Sequence, residues 1–415
     1  MLLPILLLLA QAASPPQPQE PPATPAGAPL SLTEALTLAR ARSPLTAAAR
    51  ARAEGAVNAA QVAGRLADPD LELAMENWRP GASDFDAGRD LDVFAVLVQP
   101  LDLFTRGGRK AQAAGERDQA EAESRRSIQE LDLEVVRAYL EALRGRELES
   151  VHASQADQIR SIVTAMHRRV EEGYAAEADL LRFRAESARI ETQLVRARIE
   201  RDRAEAALAV LVGGPVASRL LMSPPIPVPP DDDPAVFAER SLEHRPDVAA
   251  ARARAAAAQG GFALEHGRRL PDLALSGGYK RTGGLDTGVL GVTTSLPVFE
   301  RNRRARARAP AEARAAELEL AGVTERARAE GEVLLRAARE LSQRLARMDE
   351  ELIRPAAAAR RAALAAFREG AADVLRVVDA ERLYSEATRE ALDLTVEAFV
   401  AIGRARLAAG EEVLP

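Results

Sequence analysis

The chain has 415 residues, of which 3% are aromatic and 28% charged, with a formal net charge of −6. A composition rich in Ala, Arg, Glu and Leu describes long helices packed through small side chains, not a thick globular core around a large substrate cavity. The mixed-sign charge leaves no basic face for nucleic acid, and the lack of cysteine excludes thiol catalysis, disulfides, thiolate metal sites and lipid attachment at an N-terminal Cys.

Residues 1–12 read as a secretory leader. Leu2 to Ala10 is an apolar run of signal-peptide size, and Ala10-Gln11-Ala12 offers a small-x-small cleavage site, although no Lys or Arg precedes the run. Residues 13–30 form a Pro-rich tether with too little apolar surface to pack. No later run reaches the ~18 apolar residues of a membrane-spanning helix, so any crossing of a bilayer must use strands.

A second break, residues 215–233, is again Pro-rich and carries Asp231-Asp232-Asp233. It separates two copies of one unit, residues 31–214 and 234–411. Ser43-Pro44 matches Arg245-Pro246, Ala49-Arg50-Ala51-Arg52 matches Ala251-Arg252-Ala253-Arg254, and Pro69-Asp70-Leu71 matches Pro271-Asp272-Leu273, all at an offset of 202. Pro100 and Pro297, Glu172-Gly173 and Glu369-Gly370, and Gly213 and Gly410 match at an offset of 197. The shift of five residues therefore falls between Pro69 and Pro100, where a loop changes length without disturbing the helices.

Each copy opens with a helical pattern, from about Leu32 to Leu66 and from about Pro234 to Arg269. The first begins on a capping box, Ser31 with Glu34. Period-2 alternation follows. Asp70–Trp78, Asp90–Gln99, Pro271–Lys280 and Leu285–Leu296 read as strands, with Leu71, Leu73, Met75, Leu273, Leu275, Leu290, Val292 and Leu296 as candidates for a lipid-facing surface. Their length suits the ~9–11 residues of a tilted membrane strand. An ordinary soluble sheet has the same alternation, and four strands cannot close a barrel, so several chains must pool them.

From about Gly107 to Glu172 no strong breaker interrupts a helix of nearly ~100 Å. Turns at Gly173 and Gly370 send the chain back along Ala175–Val212 and Ala372–Ala409, making two helical hairpins. The last helix carries a heptad through Val377, Ala380, Tyr384, Ala387, Ala391, Leu394, Ala398, Ala401, Ala405 and Ala408. Its counterpart from Leu180 to Leu211 repeats the seam with one charged break, Arg201. Pro355 is expected to kink the second outgoing helix.

These features, with the strand exits Gln99-Pro100-Leu101 and Leu296-Pro297-Val298-Phe299, the following Gly107-Gly108-Arg109 and Asn302-Arg303-Arg304, and the tip Phe367-Arg368-Glu369-Gly370 leading to Val377-Val378-Asp379-Ala380, resemble the TolC-like outer membrane efflux proteins. The tip also resembles the branch paired with heavy-metal pumps. The resemblance implies a mainly α chain with a small β part, in which each half contributes one long helical hairpin and two transmembrane strands. A homotrimer would then build a 12-stranded β-barrel on an α-helical periplasmic tunnel. It further implies a passive exit duct in the cell outer membrane, in contact with lipid and serving a periplasmic adaptor and an inner-membrane pump, without catalysis, cofactor or metal. The family's tip gate maps to Asp179, Arg182, Asp373, Arg376 and Asp379; Arg376 stands where an acid is usual, which replaces an acidic ring by Arg-Asp pairs. Two other architectures compete: a periplasmic adaptor, which needs a single hairpin between compact β-domains, and a coiled-coil scaffold, which leaves leader and strands without a purpose.

His152, His167, His244 and His266 lack ligand spacing and read as solvated surface residues. Gly277-Gly278 and Gly283-Gly284 flank a hairpin and do not join a strand to a helix, which argues against a phosphate loop. The basic run Arg301 to Arg308 suits either a collar near lipid headgroups or a solvated helix start.

Overall fold

The computed structural model describes residues 29–295 and 302–414. The expected leader, most of the tether, Leu296 and the second strand exit lie outside these residues. In chain order the elements are α1 (Leu32–Arg42), α2 (Pro44–Val62), β1 (Asp70–Glu76), β2 (Asp92–Pro100), α3 (Arg106–Glu171), α4 (Glu177–Val212), α5 (Pro234–His244), α6 (Pro246–Gly267), β3 (Asp272–Thr282), β4 (Leu285–Ser295), α7 (Arg303–Met348), a π turn (Asp349–Ile353), α8 (Arg354–Arg368) and α9 (Val374–Ala408).

The duplication sets the boundaries. α1 and α5, α2 and α6, and β1 and β3 start 202 residues apart, whereas α3 and α7, and α4 and α9, start 197 apart. The length change sits in the strand hairpins: residues 77–91 link β1 to β2, while Gly283-Gly284 alone joins β3 to β4.

The opening helical patterns each break once, which the periodicity did not anticipate. Ser43 and Arg245 are extended (ψ 117 and 120) because a residue before proline is pushed out of the helical region, while Pro44 and Pro246 suit a first helical turn. Ser31 caps α1 by accepting from the Glu34 N–H at 3.1 Å.

α3 runs for 66 residues without a break. In the second copy the same span is divided by the π turn, where the Arg354 N–H donates to the Asp349 carbonyl. The expected kink at Pro355 thus takes the form of a widened turn. It moves the carbonyl ladder away from a ring that cannot donate.

The four strands pair antiparallel in chain order, β1-β2-β3-β4, so β2 and β3 join the two copies and β1 and β4 remain open edges. No described helix is long and apolar enough to cross a membrane.

The largest core lies where α1, α3, α4 and the Pro-rich break meet, around Leu30, Leu36, Val135, Tyr139 and Leu208. Residues 215–233 are therefore anchored at their start and not a free linker. The Tyr139 hydroxyl donates to the Leu30 carbonyl (2.5 Å) and accepts the Met222 N–H (2.9 Å), and burial pushes it up to about 12. Arg146 donates to the Arg219 and Val216 carbonyls at 2.6 and 3.1 Å, fixing the same segment.

Both heptad seams are buried or half-buried throughout. Arg201, the charged break, puts its backbone against Gly145 while its guanidinium turns outward to Glu149 and Asp202.

Candidate functional site

Two regions hold the candidate residues singled out in the sequence: the sheet and the hairpin tips. Cross-strand partners settle the faces of the sheet. Leu71, Leu73 and Met75 lie opposite Leu97, Ala95 and Val93. Leu97 and Ala95 pair with Gly277 and Tyr279, and Gly277 and Leu275 pair with Leu290 and Val292. All seven described lipid-facing candidates, Leu273 included, thus share one face, because every pairing step preserves the side. It is exposed in the single chain: Leu73 is 70% and Leu290 90% accessible. Asp70, Glu72 and Glu76 of β1, Asp92 of β2 and Asp272 of β3 share the other face with Lys280, which sits 4.5 Å over the Phe94 ring.

At the tips, Gly173 and Gly370 adopt left-handed φ of +78 and +74, the conformation in which glycine closes a helix. The Tyr174 and Ala371 N–H groups reach back to the Arg169 and Ala366 carbonyls at 2.7 and 2.8 Å, so the two turns are built alike. Side by side, the tips share a core of Ile162, Met166, Leu180, Phe183, Val374 and Val377. Phe183 meets Phe367 edge-on at 5.5 Å between ring centres.

Of the five gate candidates, Asp373 has a local role: it caps α9 by accepting from the Arg376 N–H at 3.1 Å. The first copy has Ala176 at that position, without a side-chain cap. Arg182, Arg376 and Asp379 are exposed and Asp179 is half-buried. Among the described residues, no ion pair joins these four within the chain. At the offset of 197 Asp179 corresponds to Arg376 and Arg182 to Asp379, so the two tips carry the same pair of charges in opposite order.

Reading the histidines as solvated fails for one of them. His152 is 1% exposed, held on α3 by the packing of α4 and α9, and its Nδ1 lies 3.1 Å from Gln155 Oε1. Gln155 donates to the Glu381 carbonyl at 3.2 Å, and Arg360 of α8 bonds both Glu381 Oε1 (2.8 Å) and Gln158 Oε1 (2.7 Å). Arg360 also stacks 4.8 Å from the Tyr384 ring centre. His-x-x-Gln-x-x-Gln on a buried helix face was the only sign of this in the sequence. Among the described residues, no group of three or more His, Cys, Asp or Glu side chains is placed to hold a metal ion.

The family profile described as outer membrane efflux protein matches residues 35–214 and 238–408. The chain belongs to the outer membrane efflux protein family. That membership places it in the outer membrane. Among relatives, the cobalt-zinc-cadmium resistance protein CzcC of Cupriavidus metallidurans is 27% identical over 284 residues, 67% of this chain and 65% of the relative. The nickel and cobalt resistance protein CnrC of the same organism is 29% identical over 279 residues, 64% of this chain and 63% of the relative. The match thus spans just under two thirds of either relative's length. The outer membrane protein VceC of Vibrio cholerae has the same fold, with TM-score 0.74 and 23% identity across 92% of this chain and 96% of that one.

Proposed function

We propose that the chain is the exit duct of a tripartite efflux system, a passive conduit of three copies. The observation that carries this is a sheet with one apolar face and two open edges, continuous with helices of ~100 Å. An open edge in hydrocarbon leaves backbone donors and acceptors unpaired, so the sheet is stable there only as part of a closed ring. Three copies supply twelve strands, with β4 of one copy beside β1 of the next. Apolar side chains then face lipid, and the face bearing Asp70, Glu72, Glu76 and Asp272 lines the lumen. The six hairpins continue as a tunnel across the periplasm toward an adaptor and an inner-membrane pump, which supply energy and cargo. Two equivalent hairpins per chain do not fit an adaptor with a single hairpin. The names of the cobalt, zinc, cadmium and nickel resistance relatives support divalent metal ions as cargo. No residue is assigned a catalytic role.

In fractionated envelopes the protein is expected to run as a heat-modifiable trimer in outer membranes; recovery only as soluble monomer removes this reading. Deleting the gene is expected to sensitise cells to cobalt, zinc or cadmium, and unaltered metal tolerance would remove the cargo assignment.

The tips form the gate of this duct. Opposite charge order on neighbouring hairpins lets Asp179 meet Arg376 and Arg182 meet Asp379 at two levels around a closed ring. Replacing Arg376 and Asp379 together by alanine should raise single-channel conductance in planar bilayers. Exchanging Asp179→Arg together with Arg376→Asp should preserve the closed state. A closed state indifferent to the alanine variant would place the gate elsewhere.

A further inference from the structure

We propose that the cluster of His152, Gln155, Arg360 and Glu381 is a proton-operated latch between the two hairpins of one chain. It holds them together at neutral pH and, on acidification, releases the second tip to swing about the π turn. This deepens the reading of the tips as a gate and rests on it.

The cluster joins α3 of the first hairpin to α8 and α9 of the second; by helical rise His152 stands ~30 Å from the first tip turn, and Arg360 and Glu381 stand ~15 Å from the second. His152, Gln155 and Glu381 are each at most 2% exposed. The bonds fix the histidine tautomer. Because the Gln155 amide nitrogen donates to the Glu381 carbonyl, its oxygen Oε1 faces His152 Nδ1, which must therefore carry the proton. His152 Nε2 is then a bare acceptor, buried and without a partner, and Glu381 Oε2 is likewise buried and unpartnered.

The charges around His152 do not welcome a cation. Burial, the largest cause, pushes the His152 pKa below the ordinary value; the Gln155 hydrogen bond and Glu200 of α4 favour the cation, and Arg389 of α9 and Arg189 of α4 oppose it. The Glu381 carboxylate is already bonded to the Arg360 guanidinium of α8. Closed packing thus favours neutral imidazole, and a separated pair of hairpins, in which His152 is hydrated, binds a proton near the ordinary ~6.5. The separated state holds more protons, so closure is stable above roughly pH 6.5 and weakens as pH falls below it.

The mechanical partner is the π turn, which lies further from the second tip than Arg360 on the same outgoing run of helix. At the 197 offset His152, Gln155 and Gln158 correspond to Asp349, Leu352 and Pro355, the π turn and its proline. Below that turn the second hairpin is tied to the first by the tip core and by this cluster. Arg360 and Glu381 correspond to Val163 and Arg184 in the first copy, so the latch occurs once per chain and not once per hairpin.

The chain has no cysteine, so a Ser161→Cys and Arg368→Cys pair, on the groove between α3 and α8, takes two spin labels without background. In nanodiscs the full-length protein should show a longer label distance at about pH 5.5 than at about pH 7.5. The closed-to-open ratio should fall by up to about tenfold per pH unit within the window. His152→Gln should hold the short distance at both values, and Glu381→Gln, which unties Arg360, should lengthen it at both. A wild-type distance that does not change with pH overturns the latch even if the glutamine variants fail to fold, as does a His152→Gln response equal to wild type. Absence of conductance in bilayers with an intact pH-dependent distance would instead count against the duct.

Discussion

Gly115→Leu should leave almost no assembled protein in the outer membrane. A Cβ at Gly115 falls 2.6 Å from the Ala257 Cα, and one at Gly260 falls 2.7 Å from the Gln112 Cα. At these crossings α3 and α6 meet backbone to backbone, and no flexible side chain can yield. Alanine at a helical glycine gains ~1 kcal/mol of propensity. Over-packing costs ~1–3 kcal/mol, and more where main chains collide, against a total margin of ~5–15 kcal/mol. The clash wins for Gly260→Ala, which should lower the urea midpoint, and decisively for Gly115→Leu. Gly322, inside α7 with nothing within 4 Å of its Cβ position, is the control. Gly322→Ala should match or slightly exceed wild-type stability.

Leu290→Arg is the second large effect. Leu290 sits midway along β4 and is 90% exposed in the single chain. A charge at the membrane midplane costs roughly 2–4 kcal/mol on the lipid face of a barrel, and a ring of three copies bears that cost three times. Loss of the SDS-resistant trimer is expected, with material left in the periplasm. Glu72→Gln, on the opposite face, should assemble as wild type. If Leu290→Arg assembles normally, the two faces are assigned the wrong way round.

Much of the architecture was legible because the chain states it twice. The paired prolines at 44 and 246, the paired Asp-Leu strand starts and the paired tip glycines located the boundaries through the two offsets. The breaks at Ser43 and Arg245 were legible too, in the proline that follows each, but a continuous apolar stripe masked them. The π turn was half visible: Pro355 announces a disturbance, and the i to i−5 bond from the Arg354 N–H to the Asp349 carbonyl makes it a widened turn in place of a kink. The His152 cluster was hidden for a different reason. Its two halves, His152 with Gln155 and Arg360 with Glu381, lie over 200 residues apart and have no counterpart in the other copy, so neither periodicity nor duplication points to them. Asp373 shows the converse. The family resemblance placed it among the gate residues, and its position just before α9 also gives it a cap, which the sequence reading did not foresee.

The strand order has a consequence for inheritance. Because β1 and β4 are bare edges in the single chain, each copy in the proposed ring would rely on its two neighbours for the hydrogen bonds of both flanks. A lesion on either edge, such as a proline in β1, would spoil every ring that it enters. In a cell that makes both versions most rings would include a defective member, so such an allele would act dominantly over an intact gene.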